Sequence, residues 1–139
     1  MPSQRPSKVI VDTNLWISFL ISKELQNLKD LITKEKVRLI TTDQLITELK
    51  IVTARPKLQK YFGQEKIAEL ISFLDIVSEK VKIKNIEQIC RDPKDDFQLA
   101  LSKESKADYL ITDDKDLLEI GIYARTEILT VNKFKEKIR

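Results

Sequence analysis

The sequence contains no histidine and one cysteine, Cys90, among its 139 residues. Without histidine, the chain lacks Ser-His and Cys-His nucleophilic sites, histidine acid–base chemistry and the most common transition-metal ligand. A single cysteine excludes an internal disulfide and a multi-cysteine zinc site. With only two glycines, the sequence also lacks the GxGxxG and P-loop motifs that bind nucleotide phosphates. Chemistry in this chain must therefore depend on other residue types.

Long apolar runs are also absent, and neither charge sign dominates. No run approaches the length needed to cross a bilayer, and the opening residues, MPSQRPS, have no long apolar stretch behind them. We therefore expect neither membrane insertion nor export, and we expect a cytoplasmic protein. The 25 Lys and Arg residues and 22 Asp and Glu residues give a net charge of +3, which permits a polyanionic partner without requiring one.

Hydrophobic residues make up 42% of the chain and charged residues 34%, which is typical of a folded domain rather than a disordered segment. The length suits one domain over residues 1–139. Apolar periodicity predicts strands over 8–11, 37–40, 109–111 and about 127–131. It predicts helices over about 15–20, 23–36, 41–54, 64–74 and 95–105, and a short helix at the end of the chain.

The alternation of these elements implies parallel βαβ units with right-handed crossovers. We therefore predict an α/β fold with three layers, in which helices cover both faces of a parallel sheet. Thr41 and Thr42 are good N-cap types, and Gln44 has the capping-box spacing from Thr41. Pro56 is expected to end that helix. The segment 77–89 remains ambiguous.

Acidic residues follow the predicted strands at positions that can share one edge of the sheet. In open α/β sheets, functional groups lie beyond the carboxyl ends of the strands, where the strand order reverses. The residues expected there are Asp12, Asp95, Asp96, Asp113, Asp114 and Asp116. Glu48 lies at the flank of the apolar stripe of its helix, from which it can lean into the same crevice.

Each acidic residue also has an ordinary structural explanation. Asp12, Asp92 or Asp95 can be a helix N-cap, since aspartate is favoured there. The aspartates that follow residue 112 can form a solvated turn, and Glu48 can be a solvated helix residue. The functional interpretation depends on their convergence, because independent caps and turns have no reason to meet at one edge.

Several carboxylates in one cleft must either take up protons or bind cations. Two carboxylates about 4 Å apart repel by about 1 kcal/mol in water and about 4 kcal/mol at an effective dielectric constant of about 20. Oxygen ligands without histidine or a cysteine cluster suit Mg²⁺ or Mn²⁺. Such an ion can polarise a phosphoryl oxygen and lower the pKa of a bound water. The sequence therefore predicts metal-assisted hydrolysis.

An ordered set of motifs covers nearly the whole chain. The motifs are VDTN at 11–14, TELK at 47–50, RPK at 55–57, RDPKDD at 91–96 and ADYLITDDKDL at 107–117. Together they resemble the PIN domain, and most closely the single-domain PIN proteins proposed as toxins of toxin–antitoxin systems. The resemblance implies a metal-dependent endoribonuclease on a small Rossmann-like sheet, with Mg²⁺ or Mn²⁺ as cofactor and RNA as substrate. It also suggests an antitoxin partner and a homodimer.

The resemblance assigns the family's acidic residues to positions in this chain. Asp12 matches the first metal-binding aspartate, and Glu48 matches the helix glutamate. Asp95 matches the third acid, because Ala100 and Ala107 fall where small residues follow in the family pattern. A helical wheel does not separate Asp95 from its neighbour Asp96, so this choice rests on the resemblance.

The remaining acids lie after the third predicted strand. Asp114 matches the acid two residues after a threonine, Thr112, with Asp116 as an auxiliary carboxylate. Asp113 departs from the pattern, since similar sequences often have glycine there. The resemblance implies that the metal ligands are Asp12, Asp95 and Asp114. It implies that Glu48 completes the cluster and orients the attacking water. The residues expected to support the ligands are Thr13, Asn14, Asp96, Thr112 and Asp116.

Two other functions compete with the nuclease. One is a PIN-fold module that binds RNA or protein without cleavage. The other is a receiver-like or phosphatase domain in which Asp12 is phosphorylated, although haloacid-dehalogenase phosphatases need an aspartate where this chain has Asn14. If RNA binds, the residues available to attract its phosphates are Lys50, Arg55, Lys57, Lys60 and Lys115.

Overall fold

In the computed structural model, which describes residues 5–138, strands and helices alternate along the chain. The strands are β1 (Ser7–Val11), β2 (Val37–Thr41), β3 (Glu79–Lys80), β4 (Tyr109–Ile111), β5 (Ile122–Tyr123) and β6 (Thr126–Leu129). The helices are α1 (Thr13–Phe19), α2 (Glu24–Thr33), α3 (Asp43–Thr53), α4 (Pro56–Phe62), α5 (Gln64–Val77), α6 (Pro93–Ser105), α7 (Lys115–Ile120) and α8 (Val131–Ile138). Part of the opening segment used to predict the absence of export, residues 1–4, lies outside the described residues.

The six strands form one sheet in the order β3-β2-β1-β4-β6-β5. Neighbouring strands are parallel except β5, which runs antiparallel to β6. Along the chain, β2 and β3 are added on one side of β1, and β4, β5 and β6 are then added on the other side. The strand order therefore reverses between β1 and β4, and a crevice opens beyond their carboxyl ends. The predicted α/β fold with a parallel sheet is confirmed.

The pleat of β1 sends its side chains into two separate cores. Val9 and Val11 belong to a core with Trp16 and Leu74, whereas Ile10 belongs to a second core on the other face of the sheet. The first core contains residues of α1, α2, α3, α5 and α8. The second core contains residues of α6 and α7 and also Leu45 of α3. Helices thus cover both faces, as the near-continuous apolar character of a buried parallel strand predicts.

One local prediction, the capping box that begins at Thr41, fails at the helix that follows β2, whereas the predicted end of this helix before Pro56 is confirmed. Thr42, not Thr41, is the N-cap of α3, and its side chain makes no capping hydrogen bond to any described residue. Thr41 is instead the last residue of β2, and its hydroxyl forms a 2.7 Å hydrogen bond with the hydroxyl of Ser78. Pro56 does follow the end of α3, but it also begins α4, since proline is favoured at the first helical position.

The segment between β3 and α6 is extended and largely exposed. Val81 continues the edge of the sheet by donating its backbone N–H to the carbonyl of Thr41 at 2.8 Å. Asp92 then caps α6 by accepting a hydrogen bond from the backbone of Lys94 at 2.9 Å, so α6 begins at Pro93 rather than at Asp95. Across residues 5–138, none of the helices combines the length and apolar character needed to cross a membrane.

Candidate metal centre

Asp12 lies at the carboxyl end of β1, where it is 5% exposed. It is the N-cap of α1, with its Oδ1 accepting a hydrogen bond from the backbone N–H of Asn14 at 3.1 Å. Its Oδ2 accepts a hydrogen bond from the hydroxyl of Thr112 at 2.7 Å. Asp12 is therefore a cap and also a member of the crevice, because capping uses only one of its two oxygens.

Thr112 connects the ends of β1 and β4. Besides donating to Asp12, its hydroxyl oxygen accepts a hydrogen bond from the backbone N–H of Asp114 at 3.0 Å. Asp114 caps α7 in the same way that Asp12 caps α1, with its Oδ1 accepting from the backbone of Asp116 at 2.8 Å. One threonine thus fixes two aspartates from strands that are adjacent in space and far apart in sequence.

Asp95 reaches this crevice from the first turn of α6. One carboxylate oxygen from each of Asp95, Asp114 and Asp116 can be chosen so that all three lie within 4.8 Å of one another. Asp95 is 4% exposed, and its Oδ2 has no hydrogen-bond partner among the described residues. A buried carboxylate oxygen without a donor is costly, so the arrangement calls for a proton, a water or a cation.

The pKa values reflect the same crowding. Burial, followed by hydrogen bonding to Asp114 and the negative charges of Asp114, Asp92 and Asp12, raises the pKa of Asp95 to about 7. Burial also raises the pKa of Asp12, although hydrogen bonds from Thr112, Asn14 and Gln98 partly offset this effect. Near neutral pH, Asp95 is therefore partly protonated, and a cation can replace its proton.

Asp96 faces away from the cluster, although it is next to Asp95 and equally buried. Its Oδ1 accepts hydrogen bonds from the backbone N–H groups of Ile89 and Cys90 at 2.9 and 2.6 Å. The bond from Cys90 is the main reason that the pKa of Asp96 is lowered. Asp96 thus anchors the extended segment before α6. Burial and the charges of Asp96 and Asp95 raise the pKa of the Cys90 thiol to about 11.

Glu48 lies on α3 and pairs with a lysine of α6. Its Oε1 lies 3.1 Å from the Nζ of Lys94, and its side chain is 25% exposed. Lys94 immediately precedes Asp95 in α6, so the ion pair connects α3 to the helix that carries the third acid. The ion pair therefore connects Glu48 to the helix that carries Asp95, but Glu48 is not among the three described acids whose oxygens lie within 4.8 Å of one another.

The other predicted residues divide between the crevice and the core. Asp12, Asn14, Asp113 and Asp114 line an open pocket of about 270 Å³ that the crevice forms at the surface. Thr13 is buried and turns the other way, where it lines a small cavity with apolar residues of α1, α3 and α5. Thr13 therefore does not join the acidic cluster, unlike Thr112.

Sequence reasoning missed two residues that contact the acids. Lys94 lies in the RDPKDD motif, but no role was predicted for it or for Gln98. Gln98 is 4% exposed and lowers the pKa of the Asp12 carboxyl as a side-chain donor, and its Oε1 has no partner within residues 5–138. A signal was available, because a glutamine three residues after Asp95 lies on the same helix face, within an otherwise apolar stretch.

The donor set at the crevice fits a hard divalent cation. Its side chains are aspartates, and such oxygen ligands favour Mg²⁺ or Mn²⁺ over softer metals. The buried and unpaired Oδ2 of Asp95 is the specific observation that an ion would explain. The residues that can hold the ion are Asp12, Asp95, Asp114 and Asp116.

Comparison with known proteins agrees with this architecture. An uncharacterized protein from Methanocaldococcus jannaschii, MJ1680, is 33% identical over 134 residues, which cover 94% of this chain and 84% of that protein. Residues 8–116, from β1 to the first turn of α7, match the PIN domain, a family whose members are generally nuclease-like. This match includes Asp12, Asp95, Asp114 and Asp116. The chain therefore belongs to the PIN domain family.

Proposed function

We propose that this protein is a Mg²⁺- or Mn²⁺-dependent endoribonuclease that hydrolyses RNA phosphodiester bonds. The observation that carries the proposal is the approach of carboxylate oxygens of Asp95, Asp114 and Asp116 to within 4.8 Å, with the Oδ2 of Asp95 buried and without a partner among residues 5–138. Such a cluster is costly in a protein that needs no cation, since it combines burial with like-charge repulsion.

In the proposed mechanism, Asp95, Asp114, Asp116 and Asp12 hold the ion. When bound, a divalent cation polarises a phosphoryl oxygen, lowers the pKa of water and neutralises charge in the transition state. Thr112 keeps the carboxylates of Asp12 and Asp114 in place through its two hydrogen bonds. In the ion-free protein, Asp95 is partly protonated near neutral pH, and its protonated form must release the proton to act as a ligand.

Glu48 is proposed to orient the attacking water from the α3 side of the crevice. Its partner Lys94 is 62% exposed, so a phosphate group of the substrate can reach the ammonium group and compete with Glu48 for it. In that event, Lys94 binds the RNA backbone and leaves the Glu48 carboxylate available to a water. Both roles use the charges that pair α3 with the first turn of α6.

RNA is proposed to approach through its phosphates. Exposed basic residues are present on α3 and α4 and next to Asp114, namely Lys50, Arg55, Lys57, Lys60 and Lys115. We propose that these residues attract the RNA backbone, whereas the anionic cleft itself repels RNA until a cation occupies it. Binding through phosphates weakens steeply as salt rises.

The proposal extends to a cytoplasmic toxin of a toxin–antitoxin pair, with an antitoxin as protein partner and a homodimer as assembly. These parts rest on the resemblance of the quoted motifs to single-domain PIN toxins. Induced expression should arrest growth with the wild-type chain and not with Asp95→Asn, and light scattering of the purified protein should give twice the monomer mass. Continued growth with well-expressed wild-type protein would refute the toxin role.

The central test is cleavage of a mixed RNA pool by the purified protein with Mg²⁺, with Mn²⁺ or with chelator. We expect chelator-sensitive cleavage by the wild type and none by Asp12→Asn, Asp95→Asn or Asp114→Asn. Asp75→Asn is the matched control, because Asp75 is an exposed acid on α5 that pairs with Lys80. It should cleave like the wild type.

The outcomes separate the competing functions. Cleavage by all variants alike indicates a contaminating nuclease. RNA binding without cleavage in either metal supports the silent binding module. Transfer of a phosphoryl group to Asp12 supports the receiver-like or phosphatase alternative.

A further inference from the structure

Gln98 occupies a position where a glutamine is physically unfavourable. It lies in the middle of α6, is 4% exposed and has Phe97 and Leu99 as buried neighbours in sequence. Its Oε1 is buried without a hydrogen-bond partner among residues 5–138. Methionine has similar length and no unpaired oxygen, so packing alone does not explain a glutamine here.

The position of Gln98 relative to the acids suggests what its amide does. Asp95 and Gln98 are three residues apart in α6 and therefore lie on one face of the helix. Both present a buried oxygen without a donor, namely Oδ2 of Asp95 and Oε1 of Gln98. Two unpaired acceptors one turn apart, next to a cluster of aspartates, indicate a site that receives donors or a cation.

The amide also contacts the acid at the end of β1. Asp12 accepts hydrogen bonds from Thr112 and Asn14, and the Gln98 side chain acts as a third donor that lowers the pKa of the Asp12 carboxyl. These donors belong to the end of β4, to α1 and to α6. The Gln98 amide is thus the connection from α6, the helix that carries Asp95, to the carboxylate of Asp12.

We propose that Gln98 is a positioning residue of the metal centre, which holds the Asp12 carboxylate toward Asp95 through its amide N–H and orders a water of the centre through Oε1. This inference rests on the proposed cation site, but not on RNA cleavage. Residues that orient metal ligands commonly change metal affinity by about 10- to 100-fold when they are lost.

The test is Mn²⁺ binding by the full chain after removal of metals, measured from the free Mn²⁺ signal in electron paramagnetic resonance. We expect Gln98→Met to weaken Mn²⁺ binding about tenfold. We also expect its melting temperature in chelator to be equal to or above that of the wild type, because the unpaired oxygen is gone. At saturating Mn²⁺, kcat should fall and KM for RNA should stay unchanged.

Gln59→Met is the matched control. Gln59 in α4 also has a buried Oε1 without a partner among the described residues, and its Nε2 donates to the carbonyl of Thr53 at 2.9 Å, within the α3–α4 connection. Its loss should lower the melting temperature and leave Mn²⁺ affinity unchanged. Gln98→Asn keeps the amide on a shorter side chain and should give intermediate affinity, which provides a second variant if Gln98→Met does not fold.

The results distinguish this inference from the proposed function. Wild-type Mn²⁺ affinity in folded Gln98→Met would overturn the role of Gln98. Absence of Mn²⁺ binding by the wild type would overturn the metal centre and the role of Gln98 together. Normal Mn²⁺ binding by the wild type without RNA cleavage would overturn the nuclease and leave the role of Gln98 to be decided by the binding data.

Discussion

Replacing Asp95 by asparagine should make the ion-free protein more stable while it removes the proposed activity. Burial and the neighbouring aspartates raise the pKa of this carboxyl from 3.8 to about 7. A rise of that size corresponds to about 4 kcal/mol of unfavourable free energy for the ionised form in the folded protein. Because Asp12 and Asp114 share the repulsion, we expect about half of this, roughly 2 kcal/mol, as the gain at pH 8.

The gain should depend on pH with a defined sign. Below pH 3.8, the carboxyl is protonated in both the folded and the unfolded chain, so the penalty is absent. The penalty grows between pH 3.8 and about 7, where the unfolded chain releases its proton while the folded chain keeps it. Wild-type stability should therefore fall relative to Asp95→Asn as the pH rises through this interval.

Urea denaturation in chelator at several pH values measures this difference. Asp108→Asn is the control with the same chemical change, and it should destabilise the protein. Asp108 accepts a hydrogen bond from the backbone of Lys8 and pairs with Arg125, so its charge is compensated. Our reasoning is wrong if Asp95→Asn is less stable than the wild type at pH 8, or if its advantage is the same at every pH.

Three further predictions concern single features. Mn²⁺ affinity, measured by calorimetry, should increase as the pH rises toward 7 and then level off, because Asp95 must lose its proton; a flat profile would contradict this assignment. Asp96→Ala should lower the melting temperature and speed proteolysis within 81–92, since the N–H groups of Ile89 and Cys90 lose their acceptor. Lys106→Gly should stabilise the protein by about 0.5–1 kcal/mol in urea denaturation, because Lys106 has a φ of 56°; destabilisation would contradict it.

The central strands could be predicted because each has a strong sequence signal that the helices of this chain do not show. The apolar run that ends at Asp12 and the run before Thr112 are both short and β-branched or aliphatic, and each is followed at once by polar residues. The strands β3 and β5 have two residues each, so they contain no periodicity to detect. Pro56 ends one helix and begins the next, and the pattern alone does not distinguish these two effects.

For the candidate site, the sequence predicted which elements meet but not which side chains face inward. Asp95 and Asp96 are both buried. Only the structure shows that Asp96 accepts hydrogen bonds from the backbone N–H groups of residues 89 and 90. The pairing of Glu48 with Lys94 depends on the approach of α3 to α6, which no local pattern encodes. Gln98 was overlooked for a similar reason, since its partner Asp12 is far away in the chain.

The hydrogen bond from the Thr112 hydroxyl to Asp12 connects residues that are 100 positions apart in the sequence. On the ribosome, β1 and Asp12 therefore emerge about 100 residues before Thr112 and the aspartates that follow β4. The acidic cleft can form only after this later segment has been synthesised. If the protein is the proposed nuclease, its activity cannot begin before that point.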